Sequence, residues 1–129
     1  ACTDVMQDVG SGTYVIDCES VALGESPYGP TNYTIVNATT IFFEQNGYGD
    51  SEIYICDAGA SAYLSTGAWG TADVYILGLG SSEERSHTFT TGNPNSGILS
   101  TSSGGTFNYK LGAWSDISLL DWNDPDGAC

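Results

Sequence analysis

Basic side chains are almost missing from this sequence. Its 129 residues contain one Lys (Lys110), one Arg (Arg85) and one His against sixteen Asp and Glu, so the net charge at pH 7 is −14. Such a surface repels the phosphates of nucleic acids and of anionic membranes. We therefore expect no nonspecific nucleic-acid binding. We also expect a stability that holds or improves toward about pH 4–5, as protonation relieves the self-repulsion.

Long hydrophobic runs and helix-favouring residues are scarce as well. No apolar run approaches the ~20 residues of a membrane-spanning helix, so we expect no membrane insertion. Thr, Val, Ile and Tyr, which favour strands, outnumber good helix formers. The best helical window, residues 59–66, carries enough Gly, Ser and Thr to hold one turn at most. Composition therefore predicts an all-β fold with at most one short helix.

The cysteines form no CxxC pair, and with a single His this argues against a zinc site. Cys2, Cys18, Cys56 and Cys129 are an even set, which predicts two disulfides and an oxidising compartment. Four cysteines allow three pairings, and the sequence does not choose among them. We expect Cys2 to pair with Cys129 and Cys18 with Cys56.

Two further features favour secretion. The chain begins at Ala1 without Met, as expected of a mature protein after removal of a signal peptide. Asn32 and Asn37 each begin an Asn-X-Thr sequon, which predicts glycosylation in a eukaryotic secretory pathway, and fungal secretion is the expected source.

Short stretches of alternating apolar and polar residues recur between Gly, Pro, Asn and Ser. The clearest is 72–79, where Val74, Ile76 and Leu79 share one face. The dipeptide Asn46-Gly47 predicts a hairpin. No internal repeat with a period of 20 to 50 residues is evident. We therefore expect residues 1–129 to form a single disulfide-stapled domain, a small antiparallel β-sandwich or barrel. The other strand candidates are 13–18, 32–44, 53–56, 87–91, 106–111 and 117–120.

One local pattern resembles a known family. Residues 43–49, followed by 56–59, resemble the aromatic-and-glycine hairpin of βγ-crystallin-type Greek keys, and 109–120 resembles their closing strand. The spacing differs by one residue in both places. The resemblance implies Greek-key topology as one option, within a superfamily that includes secreted microbial toxins.

The segment 83–87 concentrates acid–base residue types. On a strand, Glu83, Arg85 and His87 would share one face and supply a base, an oxyanion-binding guanidinium and an acid, as in a small ribonuclease-like hydrolase. The simpler interpretation is a polar hairpin end, in which Arg85 and His87 neutralise nearby glutamates.

Residues 121–127 have the composition of a calcium loop, with Asp121, Asp124 and Asp126 as candidate ligands. Their spacing departs from the EF-hand pattern. An ordinary solvated turn explains the same residues.

Aromatic residues are plentiful, with three Trp, eight Tyr and four Phe. Trp69, Trp114 and Trp122 lie in or beside loop segments, where carbohydrate-binding domains present rings to sugars. The alternative is that these rings fill the core of a small β domain.

The absence of a nucleophile–base pair, a phosphate loop or a closed metal set favours binding over catalysis. We therefore expect a secreted, monomeric, effector- or toxin-like protein that recognises an extracellular protein or glycan and needs no cofactor. The alternative function is the hydrolase centred on Glu83, Arg85 and His87.

Overall fold

The computed structural model describes residues 2–25, 30–46, 49–67, 69–79, 86–90, 95–101 and 103–129, with the backbone alone for 86–90. Within these ranges the chain forms twelve strands and no helix. The strands are β1 (Thr3–Val9), β2 (Gly12–Asp17), β3 (Ser20–Glu25), β4 (Thr31–Val36), β5 (Thr40–Gln45), β6 (Asp50–Ile55), β7 (Ser61–Thr66), β8 (Thr71–Leu77), β9 (Ser86–Thr90), β10 (Ser96–Ser100), β11 (Thr106–Lys110) and β12 (Asp116–Trp122).

Odd and even strands segregate into two six-stranded sheets. The first has the order β1-β3-β5-β7-β11-β10 and the second the order β2-β4-β6-β8-β12-β9. Each sheet is parallel apart from its last strand, because β10 and β9 pair antiparallel to β11 and β12. The chain alternates between the sheets and advances by one strand position each time, so it winds a β-solenoid of about three turns.

This architecture corrects the expected antiparallel sandwich or barrel and the Greek-key option. The predicted hairpin at Asn46-Gly47 is also wrong, because β5 and β6 belong to different sheets and do not pair. Gly47 lies outside the described residues. The Asn-Gly signal was read as a reversal within one sheet, whereas the chain here turns a corner from one sheet to the other.

Ladders of identical or similar apolar residues fill the space between the sheets. In the even sheet Ile16, Ile35, Ile55 and Ile76 are register partners, one per strand, and each is buried. In the odd sheet the corresponding ladder is Leu23, Phe43, Leu64 and Tyr109. Burying this interior removes apolar surface at about 25 cal/mol per Å², and it is the main stabilising term.

The solenoid contains a repeat that the sequence reading missed. The four isoleucines of the even-sheet ladder are spaced by 19, 20 and 21 residues. The repeated requirement is only an apolar inward side chain at each level, so outward residues differ from turn to turn and the similarity is diffuse. A search for recurring letters therefore finds nothing.

The β9–β10 pair forms the outer layer at one end, and the last coil is placed inside it. Strands β11 and β12 follow β10 in the chain yet lie between it and the earlier coils. Glycines at both ends of β11 allow this close fit. A Cβ at Gly105 would lie 2.3 Å from the Ala60 carbonyl oxygen, and one at Gly112 would lie 2.2 Å from that of Gly67.

All four cysteines form disulfides, but in a pairing different from the expected one. Cys2 pairs with Cys18, and Cys56 pairs with Cys129. The first bridge ties the start of β1 to the end of β2, and the second ties the corner after β6 to the end of the chain. Solenoid winding brings these pairs together, because residues one level apart lie close together. The two bridges indicate an oxidising environment.

Strand predictions made from alternation were mostly confirmed, but the helical window was not. Val74, Ile76 and Leu79 are buried as predicted. Residues 59–66, expected to hold a helical turn, contain β7 instead, with Ala62 and Leu64 facing inward. The described part of the chain has no helix of the length and hydrophobicity needed to cross a membrane.

Candidate functional site

The outer surface of the even sheet combines carboxylates and aromatic rings in register. We call the outward residues of β4, β6, β8 and β12 the even face. Its rows run across the strands. They are Asp50-Thr71-Asp116, then Asn32-Glu52-Asp73-Ser118, then Thr34-Tyr54-Tyr75-Leu120, and finally Leu77-Trp122.

The aromatic part of this face is a contiguous set of three rings. Tyr54 and Tyr75 are partners on neighbouring strands and stack with centroids 4.6 Å apart and planes 10° apart. Trp122 lies against Tyr54 at 4.9 Å with a tilt of 55°. These rings line a groove of about 340 Å³ whose other wall comes from the C-terminal segment, through Pro125 and Ala128.

A second, polar groove adjoins the first. It has a volume of about 560 Å³ and is lined by residues that include Asn32, Asp50 and Glu52. Asn32 lines both grooves, so they are contiguous. The Glu52 carboxylate accepts hydrogen bonds at Oε2 from Asn32 Nδ2 at 3.1 Å and from the Tyr54 hydroxyl at 3.2 Å. These two bonds fix the carboxylate where the polar and aromatic parts meet.

The electrostatics of the face follow from partial burial and like charge. Burial, followed by the charges of Glu52, Asp116 and Asp50, raises the pKa of the Asp73 carboxyl. Burial and the adjacent Glu52 charge raise the pKa of Tyr54 to about 12. The Tyr54 hydroxyl therefore keeps its proton, and remains a hydrogen-bond donor, throughout the physiological pH range.

A buried polar network lies at the corner between β3 and β4. Glu25 is only 2% exposed, and its carboxylate accepts hydrogen bonds from Thr31 Oγ1 at 2.8 Å, Ser51 Oγ at 2.9 Å and Tyr33 Oη at 3.1 Å. Burial outweighs these bonds and raises its pKa. Gln45 donates to Ser51 at 2.7 Å, whereas its own buried Oε1 has no partner among the described residues. The network supports the corner beneath the polar groove, since Thr31 belongs to both.

The structure brings two of the three predicted sugar-binding tryptophans together. Trp69 and Trp114 occupy the corners that lead into β8 and β12, and their rings stack with centroids 5.5 Å apart and planes 14° apart. They are 52% and 68% exposed. Trp122 lies at the far end of β12, within the aromatic groove. The expected core-filling role therefore does not apply to the exposed pair.

The predicted calcium ligands are held in separate contacts. Asp121 Oδ1 accepts from the Leu79 backbone N–H at 3.0 Å, and Asp124 accepts from the N–H groups of Ala128 at 2.7 Å and Cys129 at 2.9 Å. Asp126 is exposed and lines the aromatic groove. Across the described ranges, no group of three or more His, Cys, Asp and Glu side chains is arranged to hold a metal ion. The geometry therefore gives the calcium hypothesis no support.

The predicted hydrolytic residues fall largely outside what the structure describes. Glu83 and Arg85 lie outside the described residues. For His87 only the backbone is described, in β9, where it is the register partner of Leu119 on β12. The hydrolase hypothesis stays a prediction.

The two sequons lie in different surroundings. Asn37 is exposed in the corner after β4, with φ 61°, and its Nδ2 donates to Asp17 at 2.8 Å. Asn32 is partly buried in β4, where it holds Glu52 and lines both grooves. A glycan on Asn32 would occupy the candidate site itself. Glycosylation at either residue stays a prediction.

Sequence reasoning missed most residues of the even face. Glu52, Asp73, Tyr54 and Tyr75 are far apart in the chain, and only parallel register places them side by side. A usable signal was present, because Glu52-Ile53-Tyr54 and Asp73-Val74-Tyr75 repeat the pattern acid–aliphatic–Tyr at a spacing of 21 residues.

Comparisons with protein-family models, with curated proteins and with solved structures found no match to this chain.

Proposed function

We propose that this chain is an extracellular glycan-binding protein that uses the even face as its binding surface. The observation that carries the proposal is the stacked Tyr54–Tyr75 pair with Trp122, which lines a groove continuous with a second, carboxylate-lined one. Disulfides that require an oxidising environment agree with an extracellular location.

The geometry suits a sugar because it offers two kinds of contact at once. Pyranose rings have apolar C–H faces, which pack on aromatic rings, and equatorial hydroxyls, which need hydrogen-bond partners at their edges. Tyr75 and Trp122 present ring surface, while Asn32 and Glu52 present polar atoms beside it. Rows of outward residues on a strand are separated by about 6.6 Å, a spacing comparable to the width of one sugar ring.

The grooves are shallow and elongated across the strands. A linear oligosaccharide fits such a surface better than a compact small molecule, which is usually enclosed in a pocket. The stacked Trp69–Trp114 pair lies at the corner leading into the strands of the same face and would extend contact with a long chain. Recognition of a cell-surface or wall glycan would underlie an effector- or toxin-like role.

Glycan binding can be tested by paired substitutions on the two outer surfaces of the solenoid. Tyr75→Ala removes a stacked ring from the even face, and Phe42→Ala removes the ring that stacks on Tyr63 at 5.1 Å on the opposite sheet. On a glycan array, followed by calorimetric titration of the hits, Tyr75→Ala should weaken binding by about 30-fold or more, as expected for a central aromatic contact. Phe42→Ala should leave binding within about twofold of the wild type.

Thermal melts of both variants separate lost binding from lost folding. Each substitution deletes one partner of a cross-strand aromatic pair and should cost about 1 kcal/mol. An array on which the folded wild-type protein captures no glycan would refute the proposal. Equal losses of affinity in the two variants would move the site away from the even face.

A further inference from the structure

We propose that the even face selects a glycan whose sugars carry free, protonated amines, such as a glucosamine polymer, over a neutral glycan of the same backbone. This inference rests on the proposed function and specifies its ligand class. It stands on the placement of carboxylates in register beside the aromatic row, within a groove that already offers ring surface.

The charges of this face have one sign. Its outward residues on β4, β6, β8 and β12, all of which are described, include Asp50, Glu52, Asp73 and Asp116 but no Lys, Arg or His. A ligand bound here without positive charge would leave several partly buried carboxylates facing each other. A cationic ligand relieves that repulsion.

The carboxylates are arranged for contact with the edge of a sugar ring. Glu52 and Asp73 are register partners on β6 and β8, and Tyr54 and Tyr75 are the partners two residues later. Side chains two residues apart on a strand share a face and lie about 6.6 Å apart. A sugar ring stacked on Tyr75 therefore has its substituents at the level of the two carboxylates.

Glu52 is held in position before a ligand arrives. Asn32 and Tyr54 both donate to its Oε2 atom, which leaves Oε1 available for a further donor. An ammonium group donates three hydrogen bonds and accepts none, so it complements a free carboxylate oxygen. The electron-rich faces of Tyr54, Tyr75 and Trp122 attract the same cation.

The inference is tested with two oligosaccharides that differ only at nitrogen. A β-1,4-linked glucosamine oligomer and its fully N-acetylated counterpart are titrated calorimetrically into the intact, disulfide-bonded protein at about pH 6, at low and at high salt. The free-amine oligomer should bind at least about tenfold more tightly at low salt, which is the factor that one charge-assisted hydrogen bond contributes. The difference should shrink at high salt, since exposed charges are screened.

Matched variants identify the groups responsible. The double variant Glu52→Gln, Asp73→Asn keeps the side-chain shapes and removes two charges, so the preference for the amine should fall to about threefold or less. Glu44→Gln removes one charge from the opposite sheet and should leave the preference unchanged. Tyr75→Ala should weaken binding of both oligomers together.

The outcomes separate this inference from the function on which it rests. Equal or tighter binding of the N-acetylated oligomer overturns the selection of amines and leaves glycan binding intact. Failure of both oligomers to bind, with no other glycan captured on the array, overturns both proposals. A lysine-rich peptide that binds as tightly as the amine oligomer, and equally well to Tyr75→Ala, would show attraction by charge alone and would also overturn the inference.

Discussion

The two sheets share one interior but present different outer surfaces. The odd sheet carries a row of hydroxyls (Ser20, Thr40, Ser61, Thr106), a row containing the stacked Phe42 and Tyr63, and one charge of each sign in Glu44 and Lys110. The even face carries four carboxylates, three mutually contacting aromatic rings and two contiguous grooves.

The difference shows which positions of a solenoid are available for function. Inward residues of both sheets obey the same packing requirement, and in either sheet they form apolar ladders. Outward residues are free of that requirement and stack in register at about 4.8 Å, so one residue type repeated on successive turns becomes a continuous surface feature. Tyr54 and Tyr75 are such a repeat, and so are Glu52 and Asp73.

The C-terminal bridge should distinguish the two surfaces most strongly. Replacing Cys56 and Cys129 by Ser opens a link with a sequence separation of 73 residues, which the chain-entropy model values at about 4 kcal/mol of unfolding free energy. It also frees the segment through Pro125 and Ala128 that walls the aromatic groove. Denaturant unfolding should show the loss, and glycan affinity should fall even under conditions where the variant remains folded.

Removal of the other bridge serves as the control. Replacing Cys2 and Cys18 by Ser opens a link of 16 residues, for which the same model gives about 3 kcal/mol. Binding by the folded fraction should be unchanged, since this bridge lies at the opposite end of the solenoid. A larger effect on glycan affinity from this pair would contradict the assignment of the groove.

Lowering the pH should stabilise the protein, and part of the gain should come from two identified carboxyls. The pKa values of Glu25 and Asp73 are raised above their ordinary values of 4.5 and 3.8, mainly by burial. The folded state therefore binds protons more tightly than the unfolded state. The unfolding free energy should rise as the pH falls from 7 through the folded-state pKa values, and this gain is complete below the ordinary ones.

Melting temperatures measured between about pH 7 and pH 4.5 check this expectation. Glu25→Gln and Asp73→Asn should each flatten the profile, because each removes a proton-binding group of the folded state. Ser61→Ala, an uncharged change on the odd sheet, should leave the slope intact. A wild-type melting temperature that falls steadily as the pH decreases over this range would refute the argument.

The smallest effect concerns the two sequons, which test the even face from another direction. After expression in a glycosylating eukaryotic host, peptide mass spectrometry should find Asn37 modified more completely than Asn32, since Asn37 is exposed in a corner and Asn32 is partly buried in a strand. Removing the Asn37 sequon by Thr39→Ala should not alter glycan binding. Complete modification of Asn32 in a protein that still binds glycan would place the site elsewhere.

Several strands could be predicted from the sequence because alternation is a local property. The outward and inward faces of β8 followed directly from Val74, Ile76 and Asp73. Strands β1, β3 and β10 were missed, since Gln7 and Asp8 in β1, and Gly24 and Glu25 in β3, interrupt the pattern. Those residues lie where β1 departs from regular register with β3 and where the buried Glu25 network begins.

The site was predicted only in part, for a different reason. Trp69, Trp114 and Trp122 were named from their loop settings and their size, and the structure brings the first two into contact. Their neighbours on the even face were not named, because nothing in the residues around Tyr54 reveals that Tyr75 lies beside it. That contact depends on a parallel register set by the length of one complete turn.

The sequence alone determined the all-β character, the acidic surface and the presence of two disulfides, because composition, alternation and cysteine number act through local or summed properties. The tertiary structure decided the parallel winding, the pairing of the cysteines and the assembly of the even face. Each of these depends on which residues meet after a full turn of about twenty residues, and only the packing of the apolar ladders between the two sheets selects that register.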